Sequence, residues 1–448
     1  MSAATVTPVP RCDWQVEPAA RGLHGAFGVP GDKSVSHRAL MLAALAEGES
    51  RIVGFLEGED TRATAHILAQ LGVPIAAPAA GERRVQGVGL QGLRASALAL
   101  DCGNAGTGMR LLAGLLAGQA FDSVLTGDAS LSRRPMQRVI EPLTAMGARI
   151  ASNQGLPPLR VQGGQHLRGQ SICTPVASAQ VKSAILLAGL YADGSTEVIE
   201  PQPTRDYTER MLQAFGWPIE FGPGRARVQG GARLRACTVR VPGDFSSAAF
   251  FIVAASLLPG SDVLLREVGI NPRRTGLLHV LRAMGADIVL ESERSAGGEP
   301  VADVRVRHAP LHGIEVPLQH VPDMIDEFPA LFVAAACARG DTRIHGAAEL
   351  RVKESDRIAV MARALTALGA QVQETDDGAL ISGGALRGGV AVDSAGDHRC
   401  AMSLAVAASL AQQPVTIGDC ANVATSFPGF EELARASGMR LTLRVMDA

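Results

Sequence analysis

At 448 residues the chain exceeds a single hydrophobic core and is expected to form two domains of about 200 residues each. Its 42 basic and 44 acidic residues give a net charge of −2, which together with only 4% aromatics argues against a nucleic-acid binder. Seven scattered cysteines without a CxxC pair fit a reducing, cytoplasmic setting, and no apolar run approaches the ~18 residues of a membrane span.

Along the chain one plan repeats. Residues 1–14, MSAATVTPVPRCDW, lack a hydrophobic signal core and read as a short loose tail. Then VPGDKSVSHRALMLAALAEG (29–48) runs from a polar loop into an apolar helix stopped by Gly48. An alternating strand from Ser50 and a second helix over Thr61–Gln70 follow. The same plan returns at DCGNAGTGMRLLAGLLAG (101–118), TPVASAQVKSAILLAGLYADG (174–194) and VPGDFSSAAFFIVAASLLPG (241–260). It returns again at VPDMIDEFPALFVAAACARG (321–340) and SAGDHRCAMSLAVAASL (394–410). These are six units of roughly 70–80 residues, one supersecondary module used repeatedly.

Each unit alternates helix and strand, so the fold class is α/β. Its first helix is apolar all round and predicted to be buried; its second is amphipathic and predicted to lie outside. Six units make two groups of three. Val-Pro-Gly-Asp stands at 29–32 and again at 241–244, opening units one and four, and Pro-Gly is strong chain punctuation. The expected crossings fall there, with residues 1–30 and 243–448 forming one domain and residues 31–242 an inserted second one.

Polar groups gather at the N-terminal mouths of the buried helices. Lys33, Ser34 and Arg38 open unit one; Asn104, Gly106, Thr107 and Arg110 open unit two; Ser178, Gln180 and Lys182 open unit three. Asp326 and Glu327 open unit five, and His398 and Arg399 open unit six. A helix N-terminus offers free N–H groups and a positive dipole end, so five such mouths describe one shared anion-binding region. Taken singly, Ser34 or Ser178 would be a helix cap and Asn104 a turn residue.

Unit five adds Arg351-Val-Lys-Glu-Ser-Asp-Arg357, read as the first turn of the helix continuing through Ile358. On that turn Lys353 and Arg357 share a face, Glu354 answers Arg357 at i,i+3, and Lys353 is left without a partner. Cations with an embedded carboxylate supply an anion clamp plus an acid or base, as group transfer on a phosphorylated or carboxylated substrate requires. Other candidates are weaker. Gly31-Asp-Lys-Ser34 lacks the paired glycines of a nucleotide phosphate loop. His308, His312 and His320 have no clear companion ligand for a metal. Cys102 has no adjacent base and reads as a core residue.

The motifs GDKSVSHR, GNAGTGMR, LTGDASLSRRPM, SAQVKSA, RVKESDR, DHRCAMS and TSFPGF occur in this order. They resemble the EPSP synthase (3-phosphoshikimate 1-carboxyvinyltransferase) family over nearly the whole chain, in its class II form. The resemblance implies two domains, each of three βαβαββ units, the inverted α/β barrel of enolpyruvyl transferases. It also implies transfer of the enolpyruvyl group of phosphoenolpyruvate to the 5-hydroxyl of shikimate-3-phosphate with release of phosphate. The expected enzyme is a cytoplasmic monomer and glyphosate target with no metal, organic cofactor, nucleic-acid partner or membrane.

Carried over motif by motif, shikimate-3-phosphate would be held by Lys33, Ser34, Arg38, Ser178, the Ala179 backbone, Gln180 and Arg205. Asp326 would face its hydroxyl, and Lys353 would bridge to the donor. Phosphoenolpyruvate would be held by Lys33, Gly106, Arg134, Gln180, Arg357 and Arg399. Both substrates are multiply anionic, which suits guanidinium forks. Asp326 is the candidate base, Glu354 the candidate for proton traffic at the methylene carbon, and Lys33 the third catalytic candidate. One departure stands out. Many class I members carry a Lys before the Thr-Phe-Pro equivalent, where this chain has Thr425 before Ser426-Phe-Pro, so any role of that Lys is dropped or met by another cation. The alternative is the sister enzyme acting on UDP-N-acetylglucosamine, which uses a Cys on the loop reading LTGDASLSRRP (125–135) here; the loop contains none.

Overall fold

A computed structural model describes residues 12–445, which form twelve α-helices and six β-sheets. Along the chain the helices are α1 (Lys33–Leu45), α2 (Glu59–Gln70), α3 (Gly106–Ala117), α4 (Gln137–Ala145), α5 (Ala179–Gly189) and α6 (Tyr207–Ala214). They continue as α7 (Phe245–Leu257), α8 (Gly276–Ala283), α9 (Phe328–Cys337), α10 (Arg357–Ala367), α11 (His398–Leu410) and α12 (Phe430–Ser437).

The odd-numbered helices are interior because their sequences offer no polar face. In α7, FSSAAFFIVAASL, every residue is buried. Even-numbered helices bury one stripe; α4 buries Val139, Ile140 and Leu143 and turns the rest outward. Asp32, Ser178, Asp244 and Asp397 cap α1, α5, α7 and α11, each accepting from first-turn N–H groups.

Five of the six sheets share one pattern, and the sheet of the fifth unit keeps only three antiparallel strands. In the third unit Ser171–Cys173 runs parallel to Ser195–Ile199, which pairs antiparallel with Arg225–Gln229, and Ile219–Gly222 closes the edge. The chain order is therefore strand, α5, strand, α6, hairpin, which is βαβαββ. Two sheets exchange their opening strands. His24–Gly28 precedes α1 in sequence but pairs with Asp262–Gly269 of the fourth unit. Thr238–Arg240 precedes α7 but pairs with Ala46–Val53 of the first unit.

The side chains assemble two hydrophobic cores. One draws on residues 35–241, the other on 14–23 and 245–441. The chain passes between them at the two Val-Pro-Gly-Asp segments, which hold each other reciprocally. Asp32 N–H donates to the Pro242 carbonyl at 2.8 Å, and Asp244 N–H to the Pro30 carbonyl at 2.8 Å.

The loose-tail reading of residues 1–14 changes here. Residues 1–11 lie outside the described residues, but Cys12–Glu17 is a strand between Val415–Gly418 and Arg440–Val445, and Trp14 is fully buried. The strand was hidden because its partners lie at the far end of the chain, beyond any local pattern. The charged turn also differs. Ala348–Val352 is a 3-10 turn, and α10 begins only at Arg357, capped by Asp356, whose carboxylate accepts from Ala359 N–H at 3.0 Å. Lys353 therefore stands before the helix rather than on its first turn.

Candidate active site

All six odd-helix mouths open on one cleft of about 450 Å³. Lys33 and Ser34 enter from α1, Gly106, Thr107 and Arg110 from α3, and Ala179 and Gln180 from α5 behind the cap Ser178. The other core contributes the α7 cap Asp244, Asp326 just before α9, His398 and Arg399 from α11, Arg357 at the start of α10, and Lys353 and Glu354 just before it. Arg134 and Arg205 reach in from loops.

Asp326 sits in a ring of cations. Its carboxylate lies 3.2 Å from Arg205 Nη2, 3.2 Å from Arg274 Nη1, 3.6 Å from Arg357 Nη1 and 3.9 Å from Lys353 Nζ. Burial pushes this carboxyl up, but Lys353, Arg399, Arg205 and Arg274 outweigh it and hold the group well below its usual range. Glu354 is held the same way. Its Oε2 meets Arg357 Nη2 at 2.6 Å and its Oε1 meets Arg134 Nη1 at 3.1 Å. Burial again pushes up, and Arg357, Arg134, His398 and Lys33 bring the carboxyl well below the ordinary glutamate value.

Lys353 differs in sign. Burial pulls its ammonium down, and Asp326 and Glu349 recover only part of the loss. Its pairing with Glu349 at 3.5 Å corrects the expectation of an unpartnered lysine; the partner lies four residues upstream. Arg357 is fully buried, with its Nε 2.8 Å from Asp397 Oδ2, and burial is outweighed by Asp397, Glu354 and Asp326. Arg399 donates to the Asp326 carbonyl at 3.2 Å and lies 3.6 Å from Glu327. Gln180 accepts from Arg110 Nη1 and donates to Thr107 Oγ1, each at 2.8 Å. His398 is a neutral imidazole, its pKa pulled to about 3 by burial and by Lys33, with Nε2 free of hydrogen bonds among the described residues.

Thirteen of the fourteen expected site residues thus meet in one cleft. Arg38 does not line it. Its guanidinium lies behind the wall, donating to Thr208 Oγ1 at 2.7 Å, Ser183 Oγ at 2.8 Å and the Ser34 carbonyl at 2.9 Å. Ser34 is not a cap, because Asp32 takes that place. Cys102 is buried, and burial raises its thiol far out of reach of neutral pH.

Five charged neighbours were missed: Asp60, Arg138, Asp244, Arg274 and Glu349. Asp60 holds Lys33 Nζ at 3.0 Å, and Arg274 is shared by Asp244, Asp326 and Glu327. Arg138 reaches Glu349 of the other core at 3.0 Å. Asp60 and Arg274 belong to outer-helix starts, which a search of inner-helix mouths passes over. The i,i+4 spacing of Glu349 and Lys353 was a readable signal.

The chain matches the family described as EPSP synthase (3-phosphoshikimate 1-carboxyvinyltransferase) over residues 19–433. The chain belongs to the EPSP synthase family. It is 66% identical over 429 residues to the 3-phosphoshikimate 1-carboxyvinyltransferase of Xanthomonas campestris pv. campestris (strain B100), covering 95% of this chain and 98% of the relative. The enzyme of that name from Xanthomonas euvesicatoria pv. vesicatoria (strain 85-10) is 65% identical over 426 residues, covering 94% and 97%. A solved EPSP synthase from Acinetobacter baumannii superposes with a TM-score of 0.88 at 50% identity, covering 97% of this chain and all of that one. Within the EPSP synthase family, this chain has Thr425 before Ser426-Phe427-Pro428. Thr425 is buried, and its carbonyl packs against the position of Gly58.

Proposed function

We propose that this cleft lies between two domains, residues 1–30 with 243–448 and residues 31–242, and performs enolpyruvyl transfer. Phosphoenolpyruvate donates its enolpyruvyl group to the 5-hydroxyl of shikimate-3-phosphate, giving 5-enolpyruvylshikimate-3-phosphate and phosphate. The observation that carries the reading is Asp326, with Arg205 of the acceptor side on one flank, Arg357 of the donor side on the other, and the bridging Lys353 beside it. The two separate hydrophobic cores support the domain division.

Acceptor contacts come from Ser34, Ser178, Ala179, Gln180 and Arg205, and donor contacts from Gly106, Arg134, Gln180, Arg357 and Arg399. Lys33 and Lys353 lie between the two groups. Arg38 serves the acceptor from behind, by holding Ser34 and Ser183. In the first step a proton goes to the methylene carbon of the donor. The acceptor hydroxyl then adds to the cationic carbon and passes its proton to the Asp326 carboxylate. In the second step the methyl group gives up a proton to the Glu354 carboxylate as the carbon–oxygen bond to phosphate breaks and phosphate leaves with the bonding pair.

The low pKa of Glu354 fits this cycle only with the donor bound. Arg357 and Arg134 are the groups that hold Glu354 ionised. A bound phosphate or carboxylate takes up their charge, so Glu354 gains proton affinity when the donor arrives. Lys353, pulled down by burial, is the neighbouring proton source.

The test is phosphate release from phosphoenolpyruvate with each acceptor. Turnover with shikimate-3-phosphate and none with UDP-N-acetylglucosamine is expected; the reverse result overturns the assignment.

A further inference from the structure

Beneath the acceptor side lies a buried charge cluster that the proposed chemistry does not use. Lys182, on α5 two residues beyond Gln180, points away from the cleft between two glutamates. Its Nζ is 2.8 Å from Glu200 Oε2 and 2.9 Å from Glu209 Oε1. Relative exposures are 3%, 7% and 2% for Lys182, Glu200 and Glu209, so one ammonium faces two carboxylates out of water.

Such a cluster is poorly explained as a stability device. Desolvating charges is costly, and apolar residues of similar volume commonly replace a buried ion pair at no loss. Its connections suggest another purpose. Residues 200–206 have no regular structure, and they carry Gln202, Thr204 and Arg205 to the cleft wall. Thr204 is gripped on both sides: its hydroxyl donates to Glu200, and its carbonyl accepts from Lys182 Nζ at 3.4 Å. The next residue, Arg205, then reaches Asp326 at 3.2 Å. Glu209 ties the same ammonium to α6, where adjacent Thr208 receives Arg38.

We propose that Lys182, Glu200 and Glu209 are positioning residues for the acceptor, fixing loop 200–206 so that Arg205 meets the anionic substrate at the correct height. This rests on the acceptor role of Arg205. The cluster touches neither substrate, and its hydrogen bonds lead to the loop that bears Arg205, reaching the donor-side Arg399 only at second hand through Asp326, so the acceptor is the substrate it affects first.

The experiment compares Lys182→Met, the charge-free triple variant Lys182→Met/Glu200→Gln/Glu209→Gln, and Arg205→Gln. The triple variant leaves no unpaired buried charge, so it reports even where Lys182→Met does not fold. Both Lys182 variants are expected to raise the KM for shikimate-3-phosphate on the order of tenfold, the scale of one charge-assisted hydrogen bond. The KM for phosphoenolpyruvate and kcat at saturating acceptor are expected to stay near wild type. A lower melting temperature with both KM values unchanged, or an equal rise in both, overturns the proposal. Arg205→Gln separates the two layers: if it too leaves the acceptor KM unchanged, the acceptor reading of Arg205 has failed. If it alone raises that KM, only the positioning role has failed.

Discussion

A β-carbon added at Gly106 would lie 3.0 Å from Arg134 Nη1 and 3.1 Å from Arg110 Nη1. Those are tips of flexible side chains, so a methyl group is accommodated by displacing guanidiniums rather than backbone. Gly106 is not in the left-handed region; the positive φ of this segment belongs to Gly103, at 54°. The missing side chain therefore makes room, and backbone strain is not its reason. On the proposed assignment Arg134 is a donor-side cation, and glyphosate, the donor-site inhibitor of the family, is longer than phosphoenolpyruvate. Gly106→Ala should raise the glyphosate inhibition constant roughly tenfold more than the KM for phosphoenolpyruvate, about 1.4 kcal/mol of selective clash. Measuring both constants decides it, and an equal rise in the two would mean the methyl does not discriminate by length. At this scale the sequence was readable where chemistry is local, as with Glu354 answering Arg357. It was not readable for Arg38, whose burial depends on Ser183 and Thr208 from distant elements.

Elements followed from pattern wherever the pattern was internal to the segment. The six buried helices carry their own evidence in uninterrupted Ala, Leu, Val and Phe, and the polar mouths do face one cleft. Opening strands did not follow, because a strand of three to five residues has little periodicity and its parallel partner is chosen by topology. Thus His24–Gly28 and Thr238–Arg240 each join the sheet of the other half. The crossing that this exchange requires is tight. A β-carbon on Gly31 would overlap the Gly54 carbonyl oxygen, while one on nearby Gly28 meets nothing within 4 Å. Gly31→Ala should destabilise the protein by on the order of 3 kcal/mol, since backbone cannot move aside as a side chain can. Gly28→Ala should stay within about 0.5 kcal/mol of wild type. Thermal unfolding of the pair checks this, and equal melting temperatures would show that the crossing is not constrained at Gly31.

Across the whole molecule, the two cores meet through opposite charges. The cationic mouths alone suggest repulsion between the halves, relieved only by a bound anion. Instead Arg134 meets Glu354, Arg138 meets Glu349 and Arg205 meets Asp326, each pair drawn from both cores. Asp60, Asp244, Asp326, Glu349 and Glu354 offset part of the charge of the nine lysines and arginines lining the cleft before substrate arrives, a coupling that sequence order conceals because its members are far apart in the chain. Asp326 and Glu354, both held well below their ordinary values of 3.8 and 4.5, remain ionised throughout neutral pH. Stability from these pairs is present above about pH 4.5 and is lost as pH falls through the lower folded values. On the proposed mechanism Asp326 takes the acceptor's proton during transfer rather than merely balancing charge. The direct measurement is the steady-state rate of phosphate release by Asp326→Asn at saturating phosphoenolpyruvate and shikimate-3-phosphate. A kcat lowered on the order of 100-fold or more is expected, the usual scale of general-base loss, whereas a folded variant with wild-type kcat would show that Asp326 only balances charge.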